Sequence, residues 1–191
     1  MNYTTPPVKL VILDRDGVIN YDSDHFIKSP AEWKPLPGSI EAIARLNQNG
    51  YRIVVATNQS GIGRGLFDMA TLNAINDKMM ELVFRAGGRI DAIFFCPCTS
   101  EQQCHCRKPD TGMFEDIAGR YQLSLQGVPT IGDSLRDLES GAKVGCLPLL
   151  VLTGKGKKTR DKGGLPPGTR VFADLAAATD ALVAEPARAS A

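Results

Sequence analysis

The sequence predicts an α/β fold in which a Rossmann-like, mostly parallel β-sheet carries helices on both faces. Short apolar runs alternate along the chain with segments whose apolar residues recur at helical spacing. Strands that alternate with helices are joined by right-handed crossovers, which place neighbouring strands parallel. The length of 191 residues suits one domain, so we expect residues 1–191 to form a single unit.

Five predicted strands account for the apolar runs, and five predicted helices account for the segments with helical spacing. The strands are residues 8–14, 51–57, 90–96, 128–133 and 146–153. The helices contain residues 40–46, 72–82, 111–123, 134–145 and 173–185. The segment 154–168 is rich in lysine and glycine and is predicted to be a polar loop. We expect the last residues, EPARASA, to be frayed.

Charge and composition exclude several functional classes. The net charge is +1, which is too small for the basic surface of a nucleic-acid-binding protein. No apolar stretch approaches the ~20 residues of a membrane span, and the N-terminal segment MNYTTPPVKL lacks the pattern of a secretory signal. We therefore expect a cytoplasmic monomer that acts on a small molecule and binds neither nucleic acid nor membrane.

Polar side chains follow three of the predicted strands, at the point where each strand ends. Ligands of an open parallel sheet bind beyond the carboxyl ends of its strands, so these residues are expected to meet at one site. They are Asp14 and Asp16 after the first strand, Thr57, Asn58, Gln59 and Ser60 after the second, and Asp133 and Asp137 after the fourth.

The pair of carboxylates in LDRDGVIN indicates a bound cation. Asp14 and Asp16 lie two positions apart in an extended segment, so both side chains point to one face while Arg15 is turned aside. Carboxylates in close contact repel each other unless one is protonated or a cation lies between them. Mg²⁺ prefers oxygen ligands and commonly binds one or two carboxylates together with a substrate phosphate. A solvated turn is the alternative interpretation, and Asp133 at a matching strand end argues against it.

A magnesium-binding carboxylate cluster of this kind supports phosphoryl transfer. One carboxylate can attack phosphorus and form an aspartyl-phosphate intermediate. A second carboxyl group can protonate the leaving oxygen and later activate water. Cations and hydrogen-bond donors must surround the phosphoryl oxygens, and Lys108, Thr57 and Asn58 are candidates for that role.

Four segments resemble, in order, the four motifs of the haloacid dehalogenase superfamily of phosphatases. They are DRDGVIN, VVATNQSG, CRKPDTGM and IGDSLRD, and the resemblance extends over roughly residues 8–153. It implies Asp14 as the nucleophile and Asp16 as the general acid and base, with Thr57 and Lys108 holding phosphoryl oxygens. It also implies Mg²⁺ bound by Asp14, Asp133 and the backbone carbonyl of Asp16.

The resemblance further implies that Asp137 contacts and supports the residues that bind the metal.

Bulkier members of the superfamily carry a cap domain between the motifs. Here the intervals between motifs are filled by predicted helices, one strand and a cysteine-rich loop. We therefore expect no sizeable cap domain and an open active site whose loops determine specificity.

Four of the five cysteines lie in one short loop, FCPCTSEQQCHCRKP, at positions Cys96, Cys98, Cys104 and Cys106. Two Cys-x-Cys pairs can hold one Zn²⁺ through four thiolates, and clustering in a reducing compartment favours metal over disulfides. His105 is also a possible ligand, but four sulfurs complete a closed structural site and leave it exposed. Buried or free cysteines are the alternative. Because the loop leads into Arg107 and Lys108, the zinc is predicted to hold these phosphate-binding residues in place.

Further substrate contacts are predicted on the loops beside the strand ends. Asp24 and His25 either line the substrate site or belong to a surface loop. Arg64 lies among glycines that permit the close approach of a ligand. A guanidinium pairs bidentately with phosphate, so Arg64 and Arg107 are candidates for binding a second phosphate group.

Within the superfamily, TNQSGIGRG and the short cysteine loop resemble the D-glycero-D-manno-heptose 1,7-bisphosphate phosphatases of bacterial surface-polysaccharide synthesis. This resemblance implies removal of the C7 phosphate from that sugar. Histidinol-phosphate phosphatases share the motifs and a compact zinc loop, and they stay as the alternative. A catalytically inactive binding module is a third interpretation, and the presence of Asp14, Asp16, Lys108 and Asp133 argues against it.

Overall fold

The computed structural model describes residues 9–185, and six strands in this part of the chain form one sheet. They are β1 (Lys9–Leu13), β2 (Tyr51–Asn58), β3 (Ala92–Cys96), β4 (Pro129–Gly132), β5 (Leu147–Val151) and β6 (Arg170–Phe172). Their order across the sheet is β3-β2-β1-β4-β5-β6, and every neighbouring pair is parallel. The predicted fold class is therefore confirmed.

Helices pack on both faces of the sheet. They are α1 (Ser39–Gln48), α2 (Ser60–Gly63), α3 (Met69–Arg85), α4 (Gly112–Tyr121), α5 (Leu135–Lys143), α6 (Gly156–Lys162) and α7 (Leu175–Ala184). In β1, Val11 and Leu13 belong to a core cluster shared with α1, α3 and α7. Leu10 and Ile12, which point to the opposite face, belong to a second cluster shared with α4. This alternation explains why β1 is apolar from Leu10 to Leu13: both faces of that stretch are buried.

The segment predicted as a polar loop contains a helix, and a sixth strand follows it. The helix α6 lacks an apolar repeat, and its buried residues are Gly156 and Thr159. The strand β6 is three residues long, pairs only with β5 among the described strands, and leaves Val171 exposed. Neither element has the apolar periodicity on which the sequence prediction relied. Of the tail predicted to fray, residues 186–191 lie outside the described part.

The connection between β1 and α1 covers one side of the strand ends without forming a separate domain. Residues 14–38 contain no named helix or strand, and within this stretch Ile27 and Trp33 are buried in the core cluster that includes α1 and α3. Lys78 on α3 donates to the carbonyl oxygens of Pro30 and Trp33, at 2.6 and 2.8 Å. Within residues 9–185 no cap domain is inserted, and none of the helices there is long and apolar enough to cross a membrane.

Candidate active site

The residues that follow β1 and β4 form a cluster of three buried carboxylates. Oxygens of Asp14, Asp133 and Asp137 lie within 4.8 Å of one another. The strands bring them together because β1 pairs with β4, and the Asp14 N–H donates to the Ile131 carbonyl oxygen at 2.9 Å. Gly17 has φ +86°, and a Cβ atom there would clash with the Asp133 carboxylate. Glycine after the two aspartates therefore makes room for a third.

Lys108 supplies one positive charge to this cluster. Its ammonium lies 3.0 Å from the Asp14 carboxylate and 2.7 Å from that of Asp137, and it donates to the Ala56 carbonyl oxygen at 2.6 Å. Burial opposes the charged form, yet Asp137 and Asp14 raise the pKa of Lys108. Asn58 holds the Lys108 backbone, because its amide group accepts from the Lys108 N–H and donates to the Lys108 carbonyl, both at 3.1 Å.

Three carboxylates and one ammonium leave an excess of negative charge. Burial, together with the neighbouring carboxylates, raises the pKa of Asp14 to about 6 and that of Asp133 to about 8. Burial also opposes ionisation of Asp137, but Lys108 and Arg136 lower its pKa. A hard divalent cation would remove this penalty, and the all-oxygen donor set fits Mg²⁺.

The side chain of Asp16 is held separately from that cluster. Arg15 is fully buried and donates to both carboxylate oxygens of Asp16 at 3.1 Å. Asn20 and Gln59 donate to the same carboxylate at 2.8 and 3.0 Å. Burial opposes ionisation, but Arg15, Asn20 and Gln59 lower the pKa of Asp16. Arg15 does not line the cavity, as expected for a side chain turned aside, but its guanidinium fixes the orientation of Asp16, and Asn76 on α3 accepts from it at 3.4 Å.

Thr57 and Asn58 are the last residues of β2, and they line the same cavity as Asp14 and Asp16, together with Gln59 and Ser60. The hydroxyl of Thr57 is buried and accepts from the Gln59 amide at 2.9 Å. Ser60 begins the short helix α2 at the edge of the cavity. The amide group of Asn58 is hydrogen-bonded to the backbone of Lys108, so Asn58 would affect phosphate binding by positioning that lysine.

Three guanidinium groups line the cavity on one side. Arg64 lies 3.4 Å from Glu101, and Arg107 donates to the Cys98 carbonyl oxygen at 2.9 Å. Arg136, in the first turn of α5, was missed by sequence reasoning, although its place three residues after Asp133 was a usable signal. Its Nε atom is buried without a hydrogen-bond partner among the described residues. Burial lowers the pKa of Arg107, and the charges of Arg136 and Arg64 lower it further, as expected for cations gathered at an anion site.

The cavity has a volume of about 380 Å³, and two further carboxylates line it. Asp22 and Asp24 line it together with Lys155, whose ammonium lies 2.9 and 3.5 Å from their carboxylates. Asp22 and Lys155 were also missed, because nothing local relates two residues so far apart in the chain. His25 is exposed and does not line this cavity.

The four clustered cysteines converge at one end of β3, beside Arg107. In the structure Cys96 is bonded to Cys106 and Cys98 to Cys104, with Cα separations of 5.5 and 6.3 Å. The sulfurs of Cys98 and Cys106 lie 4.0 Å apart. The side chain of His105 points outward and contacts Glu115 at 2.8 Å, as expected for a residue that is not a ligand. Zinc binding by the reduced cysteines stays a prediction.

Comparisons with known families and proteins agree with this geometry. A family model described as polynucleotide kinase 3 phosphatase matches residues 9–133, and a HAD-hydrolase-like model matches residues 105–178. The D-glycero-beta-D-manno-heptose-1,7-bisphosphate 7-phosphatase of Bordetella bronchiseptica is 60% identical over 178 residues, which cover 93% of this chain and 99% of that protein. The protein of the same name from Pseudomonas putida is 51% identical over 176 residues, covering 92% of this chain and 100% of that protein.

Solved structures extend the similarity to three dimensions. The D,D-heptose 1,7-bisphosphate phosphatase from B. bronchiseptica, complexed with magnesium and phosphate, has a TM-score of 0.91 at 60% identity and covers 92% of this chain and 98% of its own. The corresponding phosphatase from Burkholderia thailandensis has a TM-score of 0.75 at 55% identity, with coverages of 93% and 99%.

These similarities identify a phosphoric monoester hydrolase, so the interpretation as an inactive binding module is wrong. The resemblance to the haloacid dehalogenase superfamily is confirmed. Since more than half of the aligned residues are identical to those of both relatives, over more than nine-tenths of the chain, the protein belongs to the haloacid dehalogenase-like phosphatases, in the family of the D-glycero-beta-D-manno-heptose-1,7-bisphosphate 7-phosphatases.

Proposed function

We propose that this chain is a Mg²⁺-dependent phosphatase that removes the C7 phosphate of D-glycero-D-manno-heptose 1,7-bisphosphate through an aspartyl-phosphate intermediate. The observation that carries the proposal is that a buried carboxylate cluster and three guanidinium groups line one cavity. The names of the similar proteins, and the magnesium and phosphate in one similar structure, support it. The product would serve heptose nucleotide synthesis for bacterial surface polysaccharide.

In the proposed reaction, the chain's own residues divide the work. Asp14 attacks the phosphorus atom, and Lys108 lies close enough to Asp14 to neutralise charge on the phosphoryl oxygens as they approach. Asp16, oriented by Arg15, protonates the leaving oxygen and later takes a proton from the attacking water. Thr57 donates its hydroxyl to a phosphoryl oxygen.

Mg²⁺ would be held by Asp14, Asp133 and the backbone carbonyl of Asp16, where it would supply positive charge to the transferring phosphoryl group. Asp137 supports this site from behind, because it binds Lys108 and accepts from the Ser134 N–H at 3.1 Å. We further propose that residues 1–191 act as one domain, as a monomer, in the cytoplasm.

The second phosphate of the substrate would bind the guanidinium wall formed by Arg64, Arg107 and Arg136. Guanidinium groups pair bidentately with phosphate, and a bound anion would offset the repulsion that Arg136 and Arg64 exert on Arg107. Histidinol phosphate carries an ammonium group where the bisphosphate carries its second phosphate. The wall would repel that ammonium, which is why the histidinol-phosphatase alternative ranks second.

We expect kcat/KM for the heptose bisphosphate to exceed that for histidinol phosphate by at least about a hundredfold, or ~2.7 kcal/mol. Released phosphate measured with both compounds tests this. Arg107→Ala should reduce the ratio of the two kcat/KM values, mainly by lowering kcat/KM for the bisphosphate. Arg85→Ala, at an exposed position of α3, should leave this ratio unchanged. Similar rates on both compounds would favour the histidinol-phosphatase alternative.

We also propose that Cys96, Cys98, Cys104 and Cys106 hold one structural Zn²⁺ in the reduced protein. The 4.0 Å between the Cys98 and Cys106 sulfurs is close to the ~3.8 Å edge of a tetrahedron with Zn–S bonds of about 2.3 Å. The bond from Arg107 to the Cys98 carbonyl links this site to the guanidinium wall.

Protein purified with reductant and without chelators should contain about one zinc per chain. Cys104→Ser should lose the zinc and raise the KM for the bisphosphate, whereas Cys146→Ser, at the buried fifth cysteine, should keep it. Elemental analysis measures the zinc content, and thiol titration of the unfolded protein measures the number of reduced cysteines. Zinc-free protein with four unreactive cysteines would instead establish two disulfides.

A further inference from the structure

One ion pair in the lining of the cavity has no part in the proposed reaction. The Lys155 ammonium lies 2.9 Å from Asp22 and 3.5 Å from Asp24. The Asp22 side chain is 19% exposed, whereas that of Asp24 is 86% exposed. Asp22 is therefore a held carboxylate that still faces the cavity, and Asp24 is largely in solvent.

We propose that Asp22, positioned by Lys155, binds hydroxyl groups of the sugar and thereby determines which end of the bisphosphate reaches Asp14. This inference rests on the proposed function. An ionised carboxylate only accepts hydrogen bonds, so it suits the hydroxyl donors of a polyol and disfavours a phosphate. Because the same cavity also carries guanidinium groups that suit the phosphate, it can accept a phosphorylated sugar in one orientation and oppose the reverse one.

Lys155 joins this carboxylate to the catalytic cluster through its backbone. Its N–H donates to the Asp133 carboxylate at 2.7 Å, while its side chain reaches Asp22. Thr153, two residues earlier, donates to the Gly17 carbonyl oxygen at 2.6 Å, which fixes this connection against the loop after β1. Lys155 therefore fixes the position of the Asp22 carboxylate relative to that of the Asp133 carboxylate.

Because the link to Asp133 is made by the backbone, a side-chain substitution separates the two roles. Lys155→Met keeps the N–H donor and removes the ammonium. Lys155→Arg keeps a positive charge beside Asp22. Lys158→Met removes an exposed lysine from α6, the helix that begins directly after Lys155, and serves as the matched control.

The test compares kcat/KM for the heptose bisphosphate with that for p-nitrophenyl phosphate, which has no hydroxyl groups to bind. We expect Asp22→Asn and Lys155→Met to lower the ratio of the two values at least about tenfold, mainly through the KM for the sugar. In Lys155→Arg the ratio should stay close to the wild-type value, and in Lys158→Met it should equal the wild-type value. The Mg²⁺ concentration for half-maximal activity should be the same in Lys155→Met as in the wild type.

Product analysis by ³¹P NMR tests the orientation directly. The wild type should leave the sugar 1-phosphate, and Asp22→Asn should leave a larger share of the 7-phosphate, because an amide can donate to the misplaced phosphate.

Unchanged ratios and products in both variants would overturn the inference, as would equal losses on the two substrates or a shifted Mg²⁺ requirement in Lys155→Met. A wild type that cleaves p-nitrophenyl phosphate but not the heptose bisphosphate would instead reject the proposed function, and this inference with it.

Discussion

Replacing Asp14 by asparagine is expected to lower phosphate release by on the order of 10⁴-fold or more, because an amide cannot attack phosphorus. The fold should persist, since asparagine has nearly the same shape and one of three crowded carboxylates is removed. Burial raises the pKa of Asp14 to about 6, so the ionised carboxylate destabilises the folded protein at neutral pH. Asparagine is neutral and has no such destabilising effect. Thermal unfolding without Mg²⁺ should therefore show no loss of stability.

The control is Asp116→Asn, which makes the same chemical change at an exposed position on α4 and should keep wild-type turnover. Phosphate release by Asp14→Asn at the wild-type rate would reject Asp14 as the nucleophile.

Replacing Lys108 by methionine is expected to reduce both activity and stability. The ammonium is 2% exposed and contacts two buried carboxylates, and breaking a buried ion pair on one side costs about 3–5 kcal/mol. Removing one preorganised positive group from a reacting centre lowers kcat by about 10²–10³. Phosphate release and chemical denaturation without Mg²⁺ measure the two effects.

The stability loss in Lys108→Met should depend on pH with a definite sign. Burial raises the pKa of Asp14 from 3.8 to about 6 even with Lys108 beside it, so removing the ammonium raises it further. The folded state then binds this proton more tightly than the unfolded chain, and stability falls as the pH rises through the folded-state value. The loss should be larger near about pH 8 than near about pH 5. An exposed lysine changed to methionine, Lys157→Met, should show no such trend; a pH-independent loss in Lys108→Met would contradict the ion-pair explanation.

The sheet and the location of the site followed from local patterns in the sequence. Runs such as VKLVIL and YRIVVAT predict strands because each is apolar on both faces, as a strand between two helical layers must be. Parallel strands end at one edge, so Asp14, Thr57 and Asp133 could be expected to meet before their distances were known. Their convergence in one cavity agrees with that expectation.

The elements that escaped prediction lack any local signal. The helix α6 is polar, and its Thr159 is buried because its hydroxyl donates to the Asp133 carbonyl oxygen at 2.8 Å. The strand β6 has three residues and acquires its hydrogen bonds from β5. Both form because a neighbouring surface already exists, which is a property of the assembled fold.

Sequence by itself determined which chemical groups this protein brings to its site: paired aspartates, a lysine, a third aspartate and a cysteine-rich loop. Only the tertiary structure decided where the side chains point and which charged groups lie next to each other. Arg15 binds Asn76 across 61 positions of sequence, and Lys155 reaches Asp22 from the other end of the chain. The physical reason is that a charged side chain takes its direction from the partner that offsets its burial, and that partner is close in space without being close in sequence.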